Sequence, residues 1–552
     1  MTRVITDPVA LLELTGVDFR ETSVLVHTLI DASRSIQAFA VEHAGRHVLI
    51  AHAVDHVMVR HAAPKAVVPL FYGGWFAFDD LVLGTANIPT LEAALLKTLG
   101  GADVARCTAD ISVANFWTLS KLVKTELDGQ AGPAEVYAYP VDRGEVRERF
   151  AQALPAAAAA AGRVFANSRA GQVMAPYLEP LGDHRFELLQ DALWEAGVDH
   201  FVVSSPMVVQ DLTGIPFEEC RRARPIAVAC RHGDVVVLAT QPIAGRRAAA
   251  THRGLAHAAE RYLPRGVVGI EAEDLDMGTF AALGLRERTV RNSLHTLRAW
   301  RERRTPDDLP FYAILARAQA SSIEATLAVA KAALDAPRPI MEEELLPSYW
   351  QAVREYERRW ELPFTLAEYF VDIFTSDHVF PSALVRRPIP PNTKTIRFDA
   401  ALIAVDQAGL ARAVSDGSRH LVRTSEGKAL DAALDDIVRS RVLPSVRPGL
   451  TGHDVWTMSV KHMELEQRRW ESLGLMPAGS PPLSSVYDRD AGHMFAKQTR
   501  PALMHSRGCQ VPVRAGLVGT VELVWPYNGY IFGIEDSFFV APQETVNLSI
   551  GG

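Results

Sequence analysis

The order of hydrophobic and polar positions predicts a chain that mixes helices and strands along its whole length. Residues from Arg185 read RFELLQDALWEAGVDHFVVSS, the pattern of an amphipathic helix, a glycine turn and a buried strand. A longer helix is predicted where apolar residues recur at helical spacing, at Leu309, Ile314, Leu315, Ala318, Ile323 and Leu327. We expect the arginine-rich stretch directly before this helix to form a solvated face.

A repeated phrase indicates an internal duplication in the N-terminal half. Residues 8–19 read PVALLELTGVDF and residues 206–217 read PMVVQDLTGIPF, and each copy is followed by a β-rich stretch with a central turn. We place Leu-Thr-Gly at the end of a strand, where glycine allows a positive φ. In this interpretation the first copy begins at that strand. It lacks the helix-and-strand opening of the second copy, or supplies it from elsewhere.

Two aspartates flank a turn in the phrase TIRFDAALIAVDQAGLARAVSDGSRHLV. The midpoint between Asp399 and Asp416 falls inside the turn Asp406-Gln-Ala-Gly409. Residues equidistant from a hairpin turn lie opposite each other on one face, about 4.5–5.5 Å apart at Cβ. We therefore expect these carboxylates to face each other, and we assign Asp406 only to the turn. Two carboxylates that close repel unless a cation or a shared proton lies between them.

A second acidic pair lies near the C-terminus. Glu522 in LVGTVELVW and Glu535 in YIFGIEDSFFV flank Asn528 and Gly529, a dipeptide favoured in tight hairpin turns. The pair is centred on that dipeptide, so we expect the two carboxylates to be cross-strand neighbours. Both strands are otherwise apolar, and buried carboxylates usually require a metal ion or a basic partner.

His493, in the phrase AGHMF, lies between the two acidic hairpins. A single histidine is more often structural than a ligand, but its position here favours a nitrogen ligand. Two aspartates, two glutamates and one histidine form an oxygen-rich set that suits two divalent ions sharing carboxylates.

Composition and charge restrict the partners and the compartment. The net charge is −8 with a pI of about 6.2, so no nucleic-acid partner is indicated. The four cysteines form no CxxC motif, which argues against a disulfide framework or a thiolate metal site. No apolar run approaches the roughly 18 residues needed to span a bilayer, and we expect no membrane partner. The cytoplasm is the default expectation.

The five candidate ligands occur in phrases that resemble those of the pita-bread metallohydrolases, the family of creatinase, prolidase and aminopeptidase P. The matching phrases are Asp399, then SDGSR with Asp416, GH with His493, GTVE with Glu522 and GIED with Glu535. The resemblance covers residues from about 180 to 552. It implies an α/β chain with a pita-bread catalytic domain at 296–552. Two related creatinase-N-type α/β domains would precede it, at 1–180 with a connecting segment and at 181–295.

The resemblance also implies the cofactors and the assembly. Two divalent ions, manganese, iron, cobalt or zinc, would be bound, and the protein would be a homodimer. Asp416 and Glu535 would bridge both ions. Asp399 would complete one ion, and His493 and Glu522 would complete the other.

The sequence departs from the peptidase pattern at two histidines. The position seven residues after His493 is Arg500, which could clamp a substrate carboxylate or form an ordinary ion pair. A family histidine expected near Ser382 is absent, while His378 lies nearby. We retain His378 and His505 as candidate catalytic replacements. Without the two family histidines, cleavage of ordinary Xaa-Pro dipeptides is doubtful.

The predicted function is hydrolysis of a C–N bond in a small amide or peptide-like substrate by metal-activated water, with Glu522 or Glu535 as general base. Two alternatives stay open. One is a specialised enzyme of this type, a lyase or an amidinohydrolase. The other is a non-catalytic pita-bread scaffold that binds peptides.

Overall fold

The structure, a computed structural model, describes most of the 552 residues. The described residues are 2–17, 19, 38–43, 45–63, 66–73, 88, 90–100, 102–128, 134–178, 182–336, 338, 340–375, 388–487, 489–497 and 502–550. Within these ranges no helix has both the length and the apolar character needed to cross a membrane.

Two sheets form the N-terminal half. In spatial order the first contains Val67–Tyr72, Arg46–His52, Phe39–His43, Thr2–Ile5, Val104–Cys107 and Lys124–Leu127. The second contains Ala250–His252, Val136–Pro140, Val235–Ala239, Ile226–Cys230, His200–Val203, Val268–Ile270 and Val290–Asn292. The helices of this half span Pro8–Thr15, His56–Ala62, Leu91–Leu99, Val113–Leu122, Arg143–Ala151, Leu154–Val164, Arg169–Met174, Arg185–Ala196, Pro206–Thr213, Phe217–Ala223, Gly254–Tyr262, Met277–Ala282 and Leu294–Glu302.

Five strands of each sheet follow the same order, which supports the predicted duplication. Beyond these five strands the sheets differ, because Val67–Tyr72 is parallel to its neighbour and Val136–Pro140 is antiparallel to its own. Thr2–Ile5 is antiparallel to the next strand in sequence and parallel to Val104–Cys107. His200–Val203 has the same two relations in the second sheet. The opening strand that we expected the first copy to lack is therefore present as Thr2–Ile5.

The Leu-Thr-Gly phrase ends a helix in both copies, so its assignment to a strand is wrong. The helices Pro8–Thr15 and Pro206–Thr213 both begin with proline and end before a glycine, Gly16 at φ 71° or Gly214 at φ 64°. Thr15 Oγ1 donates to the carbonyl four residues earlier and accepts the N–H two residues later, at 2.6 and 3.2 Å. The corresponding threonine of the second copy makes the same bonds at 2.7 and 3.2 Å. The turn residues were identified correctly, but an eight-residue apolar run does not distinguish a helix from a strand.

The two copies pair with each other through equivalent backbone groups. The N–H of Val113 donates to the carbonyl of Leu275 at 2.9 Å, and the N–H of Met277 donates to the carbonyl of Ile111 at 2.9 Å. Each donor is the first residue of a helix in its own copy. The copies are therefore related by an approximate twofold arrangement at this contact.

The connection between the two sheets differs from the predicted boundary at residue 180. Val136–Pro140 pairs with Val235–Ala239 and with Ala250–His252, so it belongs to the second sheet. The alanine-rich helix Leu154–Val164 packs in the same apolar core as the long helix Leu309–Asp335. The first sheet thus ends before residue 136, and the connecting helices belong with the later parts of the chain.

Two four-stranded sheets and several helices form the C-terminal half. The first sheet contains Thr365–Thr375, Thr395–Val405, Ala411–Val414 and Gly417–Val422. The second contains Gly492–Met494, Val518–Tyr527, Tyr530–Val540 and Thr545–Asn547. Two further short strands, Ile340–Met341 and Pro388–Ile389, pair with each other. The helices are Leu309–Asp335, Leu345–Trp360, Ser425–Asp435, the π-helix Asp436–Val442, Gly452–Ser472 and Leu483–Val486. The two sheets pack on each other, because Gly417–Val422 contacts Tyr530–Val540.

The arginine-rich stretch before the long helix is partly buried, so the expectation of a solvated face is wrong. Arg301 and Arg304 are 4% and 3% exposed. A guanidinium nitrogen of Arg304 donates to Asp211 Oδ2 at 3.1 Å. The stretch lies between the second N-terminal sheet and the C-terminal half, where buried carboxylates such as Asp211 supply the countercharge.

Candidate metal centre

The C-terminal hairpin brings two glutamates together as predicted. Glu522 pairs directly with Glu535 between Val518–Tyr527 and Tyr530–Val540. The connecting turn consists of Asn528 and Gly529, at φ 53° and 73°, as a two-residue hairpin turn of this type requires. This short turn fixes the register and therefore the position of both carboxylates.

The aspartate hairpin has a different register from the predicted one. Asp399 pairs with Ser418, so Asp416 is a diagonal neighbour rather than the direct partner. The register shifts at Val405, opposite Ala411. Asp406 Oδ1 accepts two backbone N–H groups of the turn at 2.9 and 3.0 Å, which stabilises a wider turn than a regular hairpin has. The prediction of direct opposition was wrong: the partner of Asp399 lies two residues further along the second strand.

His493 reaches the acidic cluster from the neighbouring strand Gly492–Met494. Its Nε2 lies 3.4 Å from Asp416 Oδ2 and 4.0 Å from Glu535 Oε1. Its Nδ1 lies 3.0 Å from the carbonyl oxygen of Met494. Because a carbonyl only accepts, Nδ1 carries the proton and Nε2 offers its lone pair to the cluster.

A residue without a side chain makes this approach of His493 possible. Gly492 has φ 117°, and a Cβ there would lie 2.1 Å from the carbonyl oxygen of Thr520. The preceding glycine in the GH phrase is thus required by the close contact of two strands.

Three of the five predicted ligands form a compact group. Ligand atoms of Asp416, His493 and Glu535 all lie within 4.8 Å of one another, and the three residues are buried. Asp399 and Glu522 adjoin this group but are tied together by a buried arginine. The structure thus assembles all five predicted residues, three of them closely enough to share one ion without rearrangement.

Arg397 is a site residue that the sequence interpretation missed. Its side chain is fully buried and donates from one nitrogen to Asp399 Oδ2 at 2.8 Å and to Glu522 Oε1 at 2.7 Å. Arg489 donates to the same oxygen of Glu522 at 2.5 Å. A Cβ on Gly533 would lie 1.9 Å from Arg397 Nε, so the absence of a side chain there leaves room for the guanidinium. One signal in the sequence could have identified it: Arg397 and Asp399 are two residues apart on one predicted strand, so their side chains lie on the same face.

The cluster concentrates negative charge in a dry environment. Burial raises the pKa of Asp416 and of Glu535 well above the usual range of a carboxyl group, and their acidic neighbours raise both pKa values further. Burial also raises the pKa of Asp399 to about 6, although its arginine partner opposes the rise. Burial acts in the same sense on Glu522, but its two arginine partners hold its pKa below the usual range. The group as a whole favours additional positive charge.

Unpaired oxygen atoms show that this group fits metal ions. Asp399 Oδ1, Asp416 Oδ1 and Glu535 Oε1 are buried and have no hydrogen-bond partner among the described residues. Buried acceptors without partners are rare and costly. Carboxylate oxygens together with an imidazole nitrogen are suitable ligands for Mn²⁺, Fe²⁺, Co²⁺ or Zn²⁺. The aspartate hairpin and the glutamate hairpin therefore both offer oxygen atoms that are suitable metal ligands.

A further carboxylate adjoins the site and was not predicted. Asp372 pairs directly with Asp399 across the ladder, and only 2% of it is exposed. Arg397 lies on the same face of the sheet, with its guanidinium 4.9 Å from the ring centre of Phe374. Asp372 Oδ1 is also buried and without a hydrogen-bond partner in the described part of the chain. The sequence contains no motif that identifies Asp372, because its strand, TLAEYFVDIFT, mixes apolar and polar residues without a recognisable ligand phrase.

Of the three remaining predicted site residues, the structure describes only His505. His378 and Arg500 lie outside the described residues. The N–H of His505 donates to the carbonyl of Gly492 at 2.8 Å, and its ring stacks on Phe538. Burial, and to a smaller extent His493, lower the pKa of the His505 ring to about 3. This ring is therefore neutral near neutral pH, and a catalytic role for it stays a prediction.

Comparisons with known proteins identify the fold. No protein-family model and no curated protein match the sequence. An X-prolyl aminopeptidase from Caenorhabditis elegans, described as a cytosolic enzyme with a di-nuclear active site, has a similar structure. The similarity covers 99% of this chain and 86% of that chain, at 12% identity and a TM-score of 0.59.

Two further solved structures cover about two thirds of the chain. An Xaa-Pro dipeptidase from Bacillus anthracis matches 67% of this chain and 98% of that chain, at 14% identity and a TM-score of 0.48. A prolidase from Pyrococcus horikoshii matches 67% and 99%, at 12% identity and a TM-score of 0.48. The aminopeptidase structure confirms the predicted α/β fold, in which a pita-bread domain follows creatinase-N-type domains.

Proposed function

We propose that this protein is a metal-dependent hydrolase that cleaves a C–N bond in a peptide-like or other small amide substrate. The observation that carries the proposal is the set of buried, unpaired carboxylate oxygens on Asp399, Asp416 and Glu535, with His493 Nε2 aimed at the same group. Such a set is costly to maintain unless a cation is bound. The pita-bread fold and the order of the ligands support the same conclusion.

Each predicted ligand has a place in this proposal. Asp416 and Glu535 lie centrally and would contact two ions. Asp399 would complete one ion, while His493 and Glu522 would complete the other. When bound, the two ions supply an activated water nucleophile near neutral pH and polarise the carbonyl group under attack.

The protein itself would hold and move the proton. Glu522 Oε1 accepts hydrogen bonds from Arg397 and Arg489, so this carboxylate is held in its ionised form and is a poor base. Glu535 has no arginine partner on its unpaired Oε1. We therefore assign the role of general base to Glu535, which would take a proton from the attacking water and return it to the leaving nitrogen.

The substrate preference follows from the position of Arg500 in the sequence. An arginine stays protonated and cannot share a proton with a reacting amide as a neutral imidazole does. The proposal is therefore that the substrate carries a carboxylate and that ordinary Xaa-Pro dipeptides are poor substrates. Manganese as the ion, a homodimeric state and a cytoplasmic location complete the proposal, and light scattering on purified protein tests the dimer.

Metal analysis followed by an activity screen tests the proposal. Purified protein should contain up to two divalent ions per chain. Protein treated with a chelator should lose both metal and thermal stability, and Mn²⁺, Co²⁺ or Zn²⁺ should restore them. The loaded protein should then be screened against a panel of dipeptides and small amides, with Asp416→Ala as the inactive control. Absence of metal uptake by the chelated wild type would overturn the proposal.

A further inference from the structure

The helices that end in Leu-Thr-Gly differ between the two copies in the polarity and burial of two positions. The helix Pro206–Thr213 carries Gln210 and Asp211, both completely buried. The sequence alignment of the copies places Leu12 and Glu13 at these positions in the first helix, and Glu13 is exposed there. Only the second copy therefore presents this polar pair to the rest of the molecule.

Gln210 binds the aspartate hairpin of the catalytic half. Its Nε2 donates to the carbonyl of Ala411 at 2.9 Å, and its Oε1 accepts the N–H of the same residue at 2.7 Å. Ala411 begins the short strand Ala411–Val414, which leads directly to Asp416. The amide group thus satisfies both backbone groups of one residue beside the shifted register.

Asp211 binds the segment that follows the histidine ligand. Lys497 Nζ lies 2.8 Å from Asp211 Oδ1 and 3.3 Å from Asp308 Oδ2. The other oxygen of Asp211 accepts from Arg304 at 3.1 Å. Lys497 lies four residues after His493, and it is buried together with its partners.

The backbone around Lys497 is held in an unusual conformation. Lys497 has φ 59°, a left-handed value that is uncommon for a residue with a side chain. Its N–H donates to Tyr312 Oη at 3.0 Å. The carbonyl of Phe495 accepts from Thr305 Oγ1 at 2.9 Å, and the N–H of Leu503 donates to Glu302 Oε1 at 2.7 Å. Side chains between Glu302 and Tyr312 therefore fix the segment after His493 at three points.

We propose that Gln210 and Asp211 are positioning residues of the metal centre, acting in the same chain as the ligands. Gln210 sets the hairpin that delivers Asp416, and Asp211 sets, through Lys497, the segment that delivers His493. Hydrogen bonds and ion pairs in a dry interior are directional, and they fix one arrangement where apolar packing would tolerate several. The second N-terminal domain is thus a structural part of the active site, an inference that rests on the proposed function for its chemical meaning.

Cobalt binding and hydrogen exchange on the full chain test the inference. The variants are Lys497→Met, Gln210→Leu and Asp211→Asn, with Glu13→Gln as the matched control from the first copy. We expect the dissociation constant for Co²⁺, followed by its visible absorption, to rise roughly 10-fold in each of the first three. Amide exchange should accelerate at least about tenfold in peptides covering 411–416 for Gln210→Leu and 493–497 for Lys497→Met. Glu13→Gln should match the wild type in both measurements.

A conservative variant separates positioning from general stability. Lys497→Arg keeps the charge and should restore Co²⁺ affinity to within about threefold of the wild type. If Lys497→Met and Gln210→Leu lower the melting temperature while Co²⁺ affinity and local exchange stay at wild-type values, the inference is wrong. If the wild type binds no Co²⁺, the proposed function fails. The exchange experiment still decides whether these residues hold the two segments. Should Asp211→Asn not fold, the other two variants decide the outcome.

Discussion

Replacement of Arg397 by methionine removes the buried countercharge of the candidate metal centre and should make the stability of the protein strongly dependent on added metal. The guanidinium contacts Asp399 at 2.8 Å and Glu522 at 2.7 Å and has no exposed surface. Methionine fills part of the same volume without charge. Both carboxylates then lose a partner, although Glu522 keeps Arg489.

The size of the effect follows from the burial. Removal of one partner from a buried ion pair costs about 3–5 kcal/mol, because the remaining charge is left unpaired in a dry environment. In a domain of this size each kcal/mol lowers the melting temperature by about 2–4 °C. We therefore expect metal-free Arg397→Met to melt roughly 6–20 °C below the metal-free wild type.

Divalent ions should reverse much of this loss. Without the guanidinium, the cluster is more negative, and an ion bound there gains attraction that grows as the dielectric constant falls. Thermal unfolding with and without Mn²⁺, after chelator treatment, measures the effect. The rise in melting temperature on adding Mn²⁺ should be larger for Arg397→Met than for the wild type.

A second arginine ion pair provides the control. The side chain of Arg231 is 21% exposed and pairs with Asp199 at 3.2 Å in the second N-terminal sheet region. Arg231→Met should be destabilised less than Arg397→Met, and Mn²⁺ should stabilise it only as much as it stabilises the wild type. If Arg397→Met gains no more from Mn²⁺ than Arg231→Met does, the guanidinium does not substitute for metal charge.

Three further predictions concern other groups. Asp416→Ala and Glu535→Ala should lose bound metal, measured by elemental analysis, more completely than Asp399→Ala, because the first two are expected to contact both ions. Arg500→Ala should raise KM or lower kcat/KM by roughly 10- to 100-fold on the true substrate with unchanged metal content; brisk cleavage of proline dipeptides by the wild type would contradict this role. Burial raises the pKa of Glu302 from 4.5 to about 7, so its stabilising contribution is complete below pH 4.5 and is lost as the pH rises to 7, by about 3 kcal/mol at most. Glu302→Gln should flatten the wild-type fall in melting temperature across that interval, and an unchanged slope would show that another group is responsible.

Sequence patterns predicted the glutamate pair correctly because its turn leaves no freedom. Asn528 and Gly529 both adopt positive φ, and a two-residue turn determines the whole ladder that follows. The aspartate pair lacked such a constraint. The side chain of Asp406 accepts two backbone N–H groups, and the resulting wider turn moves Asp399 opposite Ser418. The position of the midpoint between the two aspartates does not reveal these two hydrogen bonds of Asp406.

Ion pairs between residues that are distant in sequence could not be predicted from sequence patterns. The carboxylate partners of Arg397 are one residue on its own strand and one residue 125 positions away, and only the packing of two sheets brings the second one close. Arg304 was assigned to solvent because arginine usually is, yet Asp211 neutralises it in the interior. The order of the five candidate ligands along the chain was enough to predict the fold and the proximity of these five residues to one another. The network that holds them requires the three-dimensional structure.

The contact between the two N-terminal copies has a consequence that comes from their covalent connection. Two modules on one chain have a local concentration set by their linker, in the millimolar range for short flexible linkers. The reciprocal backbone bonds between 111–113 and 275–277 and the ring contact between Trp117 and Phe280 therefore form at a much higher effective concentration than they would between separate molecules, so this contact needs little affinity of its own.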